Sequence, residues 1–294
     1  MRWRVSGLVA VLALTACSAG GPGPSTPPAS HSVPAPIAIA PVNPDALVGL
    51  WRVAAAAGEP GGTVLRLSAD EPFRLILFRG CGELSGSWAA TAGAGFVAMT
   101  SAWSNACSAT PGKGRAPAWL LRARSYRMHG AERDLLAADG TVLAKLLPAA
   151  KPHTGADILP ALREKPTLSQ AALKRLREVP KALPAGTSAA TDRTIAGRWV
   201  PIPALGAVTS QDRFLSFSAN GDWASKDGCN GAGGRFTVGE GGWLLLLAGP
   251  FAATGACAGS EVSGLLTDAR RAAVTGGQLT FYAGDGSVVG RFTR

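Results

Sequence analysis

From about residue 44 onward the chain is a succession of short apolar runs, many of alternating character, broken by glycine, proline and Asp-Gly or Asn-Gly pairs. In the first half these runs fall at 49–53, 63–68, 73–79, 86–90 and 96–99, with a hairpin around Asp139-Gly140. In the second half they fall at 197–201, 213–218, 223–225, 234–238 and 243–247, with a pair flanking Asp285-Gly286. Runs of this length, bounded by turn residues, predict β-strands. Asn220-Gly221 and Asp285-Gly286 sit between apolar runs, which predicts type I′ hairpin turns with φ > 0 at both central residues.

Helical periodicity is rarer. Val262, Leu265, Leu266, Ala269 and Ala273 fall on one helical face, with Ser260 as the N-cap, Glu261 in the first turn and Gly276-Gly277 as the stop. In the first half Pro117 suits a first turn and 119–126 is the counterpart. Between the halves, Thr167-x-x-Gln170 has the spacing of a capping box. Leu168, Ala172, Leu173, Leu176 and Val179 then form a stripe that Pro180 ends. This connecting helix is expected to pack on one half or bridge both, and its basic opposite face leaves a partner-binding role open. Each half thus reads strands, one helix, strands. The expected fold is α+β, mostly β: two small curved antiparallel sheets or partial barrels, each with one packed helix.

The two halves are copies. Gly49-Leu50-Trp51 is matched by Gly197-Arg198-Trp199 and Gly80-Cys81 by Gly228-Cys229, both 148 residues later. Second cysteines follow at Cys107 and Cys257, and Asp139-Gly140 is matched by Asp285-Gly286. Ordered coincidences of this kind indicate tandem duplication. The organisation expected is a leader over 1–16, a tether over 17–43, domains over 44–148 and 193–294, and a linker over 149–192.

The first residues read as an export signal. Arg2 and Arg4 precede a short apolar stretch, and Leu14-Thr15-Ala16-Cys17 resembles a bacterial lipobox, in which Cys17 is lipidated. The stretch is too short to span a bilayer, which needs ~20 apolar residues. The Pro-, Ser-, Gly- and Ala-rich tether that follows cannot bury enough apolar surface to order itself. The protein is therefore expected outside the cell membrane, or on the outer membrane of a cell that has one, held by lipid rather than by a spanning helix. Export also bears on the cysteines. Of five, Cys17 is set aside, and the natural pairs in an oxidising compartment are Cys81–Cys107 and Cys229–Cys257, one per copy. A zinc site is disfavoured because no C-x-x-C occurs and His31, His129 and His153 are scattered; no cofactor is expected.

Formal net charge is +10, falling to +8 once Arg2 and Arg4 leave with the leader. Much of the excess lies in the linker, including Lys151, Arg163, Lys165, Lys174, Arg175, Arg177 and Lys181. Such a band could touch anionic lipid or acidic wall polymer, and a solvated linker is the competing reading. Nucleic-acid binding is disfavoured by export and by the lack of any recognisable motif.

The second copy resembles a META domain, the family of HslJ-like heat-shock envelope proteins. The likeness runs through Gly197-Arg198-Trp199, Phe214 to Gly221, Asp227-Gly228-Cys229-Asn230-Gly231, Thr254-Gly255-Ala256-Cys257 and Leu279-Thr280-Phe281-Tyr282. The first copy departs, with Gly82 in place of Asn230 and Ser104 in place of the threonine. The resemblance implies a compact β-rich fold with a helix, an envelope setting and a link to stress tolerance, with no catalytic mechanism.

Candidate chemistry is sparse. Gly255-Ala256-Cys257-Ala258-Gly259 has the outline of a nucleophile elbow, but no histidine base lies in that copy, so a half-cystine is the better reading. The glycine-rich stretch over 228–234 lacks a lysine at Walker spacing and reads as a turn that Asn230 holds, or as a binding loop. Asp222 and Asp227 read as solvated turn residues. Trp51 and Trp199 are expected in the cores, whereas Trp223 and Trp243 either pack there or line an apolar groove. The leading expectation is a non-enzymatic envelope protein that binds or braces, the alternative an inhibitor of an exported hydrolase, and an enzyme a distant third.

Overall fold

The computed structural model describes residues 42–69, 73–104, 107, 116–152, 158–202, 213–227, 230–249 and 262–294. Cys17, the tether to Pro41, His31, His153, Cys229, Cys257 and Ser260 lie outside them. Residues from Ile39 onward belong to one compact unit.

Each copy contributes eight strands. The first has β1 (Gly49–Ala54), β2 (Val64–Ser68), β3 (Arg74–Arg79), β4 (Gly82–Ala90), β5 (Phe96–Trp103), β6 (Ser125–His129), β7 (Glu132–Leu136) and β8 (Val142–Pro148). The second has β9 (Gly197–Ile202), β10 (Arg213–Phe217), β11 (Asp222–Asp227), β12 (Gly231–Val238), β13 (Leu244–Ala248), β14 (Arg271–Thr275), β15 (Gln278–Tyr282) and β16 (Val288–Thr293). Both sheets are antiparallel and share one order, β5-β4-β3-β2-β1-β8-β7-β6 and β13-β12-β11-β10-β9-β16-β15-β14. Each curls until its edges meet at a single bridge, Gly95 to Ser125 and Trp243 to Arg271. Phe96 N–H donates to Arg124 O and Leu244 N–H to Arg270 O, both at 2.9 Å. An up-and-down sheet that closes this way leaves little free edge.

β6 and β14 are the strands that periodicity did not reveal. The helices are correspondingly short: α1 (Ala118–Arg122) before β6 and, after the linker helices, α5 (Val262–Thr267) before β14. Ala273, expected on the helix, lies in β14, and Gly276-Gly277 (φ 57° and 79°) form the turn into β15. Tyr126 likewise belongs to β6. A longer helix would have left β15 and the free edge of β13 without backbone partners. α1 buries Trp119 and Leu120 in the first core, and α5 buries Val262 and Leu266 in the second.

The hairpin turns also differ from expectation. At Asn220-Gly221, Asp285-Gly286 and Asp139-Gly140 only the glycine has positive φ (80°, 86° and 81°). The turns close with a three-residue loop, as in Ser218 N–H to Asp222 O at 2.9 Å and Gly221 N–H to Ser218 O at 2.9 Å. That is a type I turn with a bulged glycine. In each, the Asn or Asp side chain accepts from the N–H two residues on, which favours this loop over a two-residue one. The duplication is equally visible in the cores, where Trp51 Nε1–H donates to Leu47 O and Trp199 Nε1–H to Ile195 O, both at 2.7 Å.

The linker holds α2 (Pro160–Arg163), α3 (Gln170–Leu176) and α4 (Asp192–Ile195). Ser169, not Thr167, caps α3, its Oγ accepting from Ala172 N–H at 3.1 Å. Ala172 and Leu176 join the first core, but Val179 is 63% exposed, so the apolar stripe ends with the helix. Arg177 pairs with Asp45 of the first copy, while Glu178 pairs with Arg270 at 3.2 Å and Lys181 N–H donates to Gly284 O at 3.0 Å in the second. α3 and the residues after it therefore bridge the two barrels.

The barrels also touch directly, β4 and β5 of one against β12 and β13 of the other. These are equivalent strands, so the copies meet through the same patch, as a two-fold dimer would. Leu244 and Leu246 face the second core, and Leu245 faces the first copy, within 4 Å of where a Cβ on Gly95 would lie. Burial of a strand on both faces accounts for four consecutive leucines. Arg124 Nη2 and Arg235 Nη2 both donate to Asn220 O, the latter at 2.9 Å, and Arg235 Nη2 also reaches Leu121 O across the contact. Burial and the neighbouring Arg235 depress the Arg124 pKa to about 10.

Candidate functional site

Beside this contact the two barrels leave an open cleft of about 740 Å³. One wall is β4 and the residue that follows it, where outward Ser87, Ala89 and Thr91 alternate with the core residues Trp88 and Ala90. The facing wall is β13 with Trp243, Leu245 and Leu247. Phe73 and Trp223 add aromatic surface, and Leu266, Thr267, Ala269 and Arg270 close the side next to α5. Arg175, Glu178 and Pro180 from α3 and its C-terminal extension close the side next to the linker.

The aromatic rings are held in place. Trp223 is nearly buried, and its Nε1–H donates to Leu247 O at 3.2 Å, fastening β11 to the β13 wall. Trp243 is half-buried, and a Cβ on Gly93 would lie 3.0 Å from its ring, so the first copy packs closely against it there. The Arg271 guanidinium sits 5.1 Å from the Trp243 ring and donates to Gly241 O at 2.6 Å and Pro180 O at 3.1 Å. Burial lowers the pKa of Arg271. At the rim, the Arg175 guanidinium lies 5.3 Å above the Phe73 ring. Cation–ring contacts of this kind are worth ~0.5–1 kcal/mol at exposed sites.

The cleft is an apolar trough with a charged rim on the linker side. The described lining offers hydroxyls and one carboxylate, Glu178, already paired with Arg270. It has the form of a binding site: apolar walls, a few convergent polar groups and a size that suits a small ligand. Among the described residues no group of His, Cys, Asp and Glu is arranged to hold a metal ion, and no helix is long and apolar enough to cross a membrane.

Of the candidates from sequence, Trp223 and Trp243 come together in the cleft. Asn230 does not: it follows the far end of β11, where its N–H donates to Asp227 Oδ1 at 2.6 Å and Asp227 N–H donates to Asn230 O at 3.1 Å. The Asp227 carboxylate thus holds that turn, and Gly231 to Gly234 are strand residues of β12. Asp222 keeps a half-exposed side chain at the end of the Asn220-Gly221 turn, where it pairs with Arg235. Asp227 is not solvated: it lies on the inward face of β11 and is buried. Cys81 and Cys107 form a disulfide. Several linker cations face internal partners: Lys151 pairs with Glu164, Arg177 with Asp45, and Arg175 stacks on Phe73.

Phe73, Arg175, Glu178 and Arg270 were not singled out from sequence. Their assembly depends on how the barrels and linker dock, which no local pattern encodes. The leucine run over 244–247 was the available signal, because a barrel wall with solvent outside would alternate. No protein-family model, no curated protein and no solved structure matches the chain.

Proposed function

We propose that this is an exported, lipid-anchored envelope protein without catalytic activity, and that it works by binding in the cleft between its two barrels. The observation that carries the reading is the cleft itself, about 740 Å³ of mainly apolar wall fixed by aromatic side chains from both copies and by the linker. Its described lining has no histidine and no nucleophile–base pair, which favours binding over turnover. The export-type leader and Cys17 support the envelope setting, and the motif string from Gly197 to Tyr282 supports a META-like second copy with a degenerate first. A link to envelope stress rests on that resemblance.

A photo-crosslinking residue at Ser87 of the full chain, activated in intact cells, tests the binding role. A discrete adduct from Ser87, without the same adduct from Ala224 on the outer surface of the second barrel, is expected. No adduct, or the same one from both positions, would remove the cleft from consideration. Cys17→Ala is expected to release the protein from the membrane fraction with its unfolding midpoint unchanged, and retention there would end the anchor reading.

A further inference from the structure

One edge of β13 has lost its neighbour. On the other edge β13 pairs with β12 from Leu244 to Ala248. Toward β14 there is only the bridge of Trp243 with Arg271, where Leu244 N–H donates to Arg270 O at 2.9 Å. Backbone groups along a strand face its two edges alternately. Gly249 N–H donates to Gly233 O of β12 at 2.7 Å, so Leu245, Leu247 and Gly249 face β12 and Leu244, Leu246 and Ala248 face the other way. Among the described residues none bonds the N–H or C=O of Leu246 and Ala248 on that side. This edge opens into the cleft, because all five residues of β13 line it, together with Thr267, Ala269 and Arg270 on the side the edge faces. The strand walls carry no charged side chain. At the rim Glu178 and Arg270 pair with each other, and Arg175 has partners of its own over Phe73 and elsewhere in the chain. Each of these charges is thus already answered within the protein.

We infer that the cleft takes an extended, uncharged apolar segment of another polypeptide, which adds to the outer edge of β13 as a further strand. The inference rests on the binding role proposed above and adds the class of partner. Strand addition uses both halves of the site, main-chain hydrogen bonds to Leu246 and Ala248 and alternate side chains against the apolar walls. Five strand residues span about 17 Å, so the edge holds about five residues of the partner. An uncharged segment matches walls without charge and a rim whose charges are paired. An acyl chain would take water from the Leu246 and Ala248 groups and offer them no bond in return, a cost that a peptide avoids.

The test uses the full chain with Cys17→Ala, so that no acyl chain of its own is attached. It is titrated with end-capped peptides of about seven residues, alternating threonine with valine, leucine or phenylalanine. Tryptophan fluorescence reports on Trp223 and Trp243, and amide hydrogen exchange followed by NMR reports on Leu246 and Ala248. Expected is one peptide bound per chain for at least one of the three, with exchange at Leu246 and Ala248 slowed about tenfold or more at saturation. N-methylation of every second peptide nitrogen blocks one edge of the added strand. Blocking the edge toward β13 should weaken binding about tenfold, and blocking the other should change it little. Ala248→Pro removes an outward N–H and spares the β12 ladder, so it should weaken the peptide about fivefold with the unfolding midpoint unchanged. Ser87→Trp, which fills the trough from the facing wall, should abolish binding. Binding that protects neither amide, equal affinity for the two methylated forms, or binding that survives Ser87→Trp overturns strand addition. Tighter binding of uncharged monopalmitoylglycerol than of every peptide assigns the cleft to an acyl chain and overturns it too. If no peptide binds but the Ser87 crosslink still captures an envelope component, the partner class is wrong and the binding role stands. If that crosslink is also lost, both fall.

Discussion

The outer faces of β3 and β11 occupy the same place in the two barrels and have opposite character. In β3 the outward Ile76 and Phe78 are buried, clustered with Leu50, Val64 and the linker residue Ile158. Ala149 N–H donates to Leu50 O at 3.0 Å and Arg66 Nε–H to Glu164 O at 3.1 Å, so the linker lies across this face. The equivalents in the second barrel are Arg198, Ala224 and Lys226, and all three are exposed. One topology therefore runs with a covered face in one copy and a solvated face in the other. Barrel closure constrains the inward residues, while the outward ones answer to whatever the rest of the chain places against them.

The buried charges differ in the same manner. In the first barrel Glu59 accepts from Arg79 Nε–H and Nη2–H at 2.7 Å each, from Trp119 Nε1–H at 2.9 Å and from Thr63 Oγ1–H at 3.0 Å. This cluster ties the β1–β2 loop to β3 and α1. Asp227 occupies the place of Arg79 in the second barrel. Arg213, buried where strand register puts Thr63 in the first copy, donates to Asp227 O at 3.0 Å.

The largest effect should follow from opening the Glu59 cluster. Glu59→Ala removes the carboxylate that Arg79 and Trp119 share in the buried cluster and should cost about 3–5 kcal/mol, read from denaturant unfolding followed by tryptophan fluorescence. A loss below about 1 kcal/mol would mean that the pair is solvated. Next, Ile76→Asp puts a charge beneath the linker and should cost about 3 kcal/mol, whereas Ala224→Asp at the equivalent place should change stability by about 0.5 kcal/mol or less. Similar losses at both positions would break the covered-versus-solvated distinction.

Where the copies agree, their responses should agree. Gly140 and Gly286 occupy the same turn with φ of 81° and 86° and have open space or ordinary contact around them. Alanine at either should cost about 1 kcal/mol, the strain of a left-handed residue, and unequal costs would show that the linker at Lys181 discriminates between them. The smallest effect belongs to Asp192, which stands where the first copy has Pro44. Burial raises its pKa, against the opposing influence of the Val238 N–H bond and Arg124. An acid whose folded pKa is raised loses stability as pH climbs from its unfolded value to its folded one. Asp192→Asn, which keeps the acceptor for Val238, should flatten that loss above about pH 4 in thermal melts. An unchanged slope would place the carboxylate in water.

The mostly β class, seven of the eight strands in each copy and the duplication were legible because alternation and turn residues are local properties. β6 and β14 were not. Ala269 and Ala273 fit a helical face, and only hydrogen bonds from β15 on one side and β13 on the other turn the second of them into strand. The turns at Asn220-Gly221 and Asp285-Gly286 were located correctly but assigned the wrong geometry, since the Asx bond that favours the longer loop is a side-chain choice. At the cleft, Trp223 and Trp243 were recognised as possible liners, while Arg175 read as one more linker cation.

Sequence by itself determined what each copy must build: which residues turn, which alternate, and that Trp51 and Trp199 play one part twice. These follow from short-range sterics and from a two-residue side-chain period, both written in neighbouring positions. Tertiary structure alone decided that the copies meet through equivalent strands, that the linker covers one outer face and not the other, and that Arg175, Glu178 and Arg270 gather at the mouth of the cleft. Those outcomes depend on surface burial between segments far apart in the chain, where the energy lies in complementarity of shape and charge rather than in any local pattern.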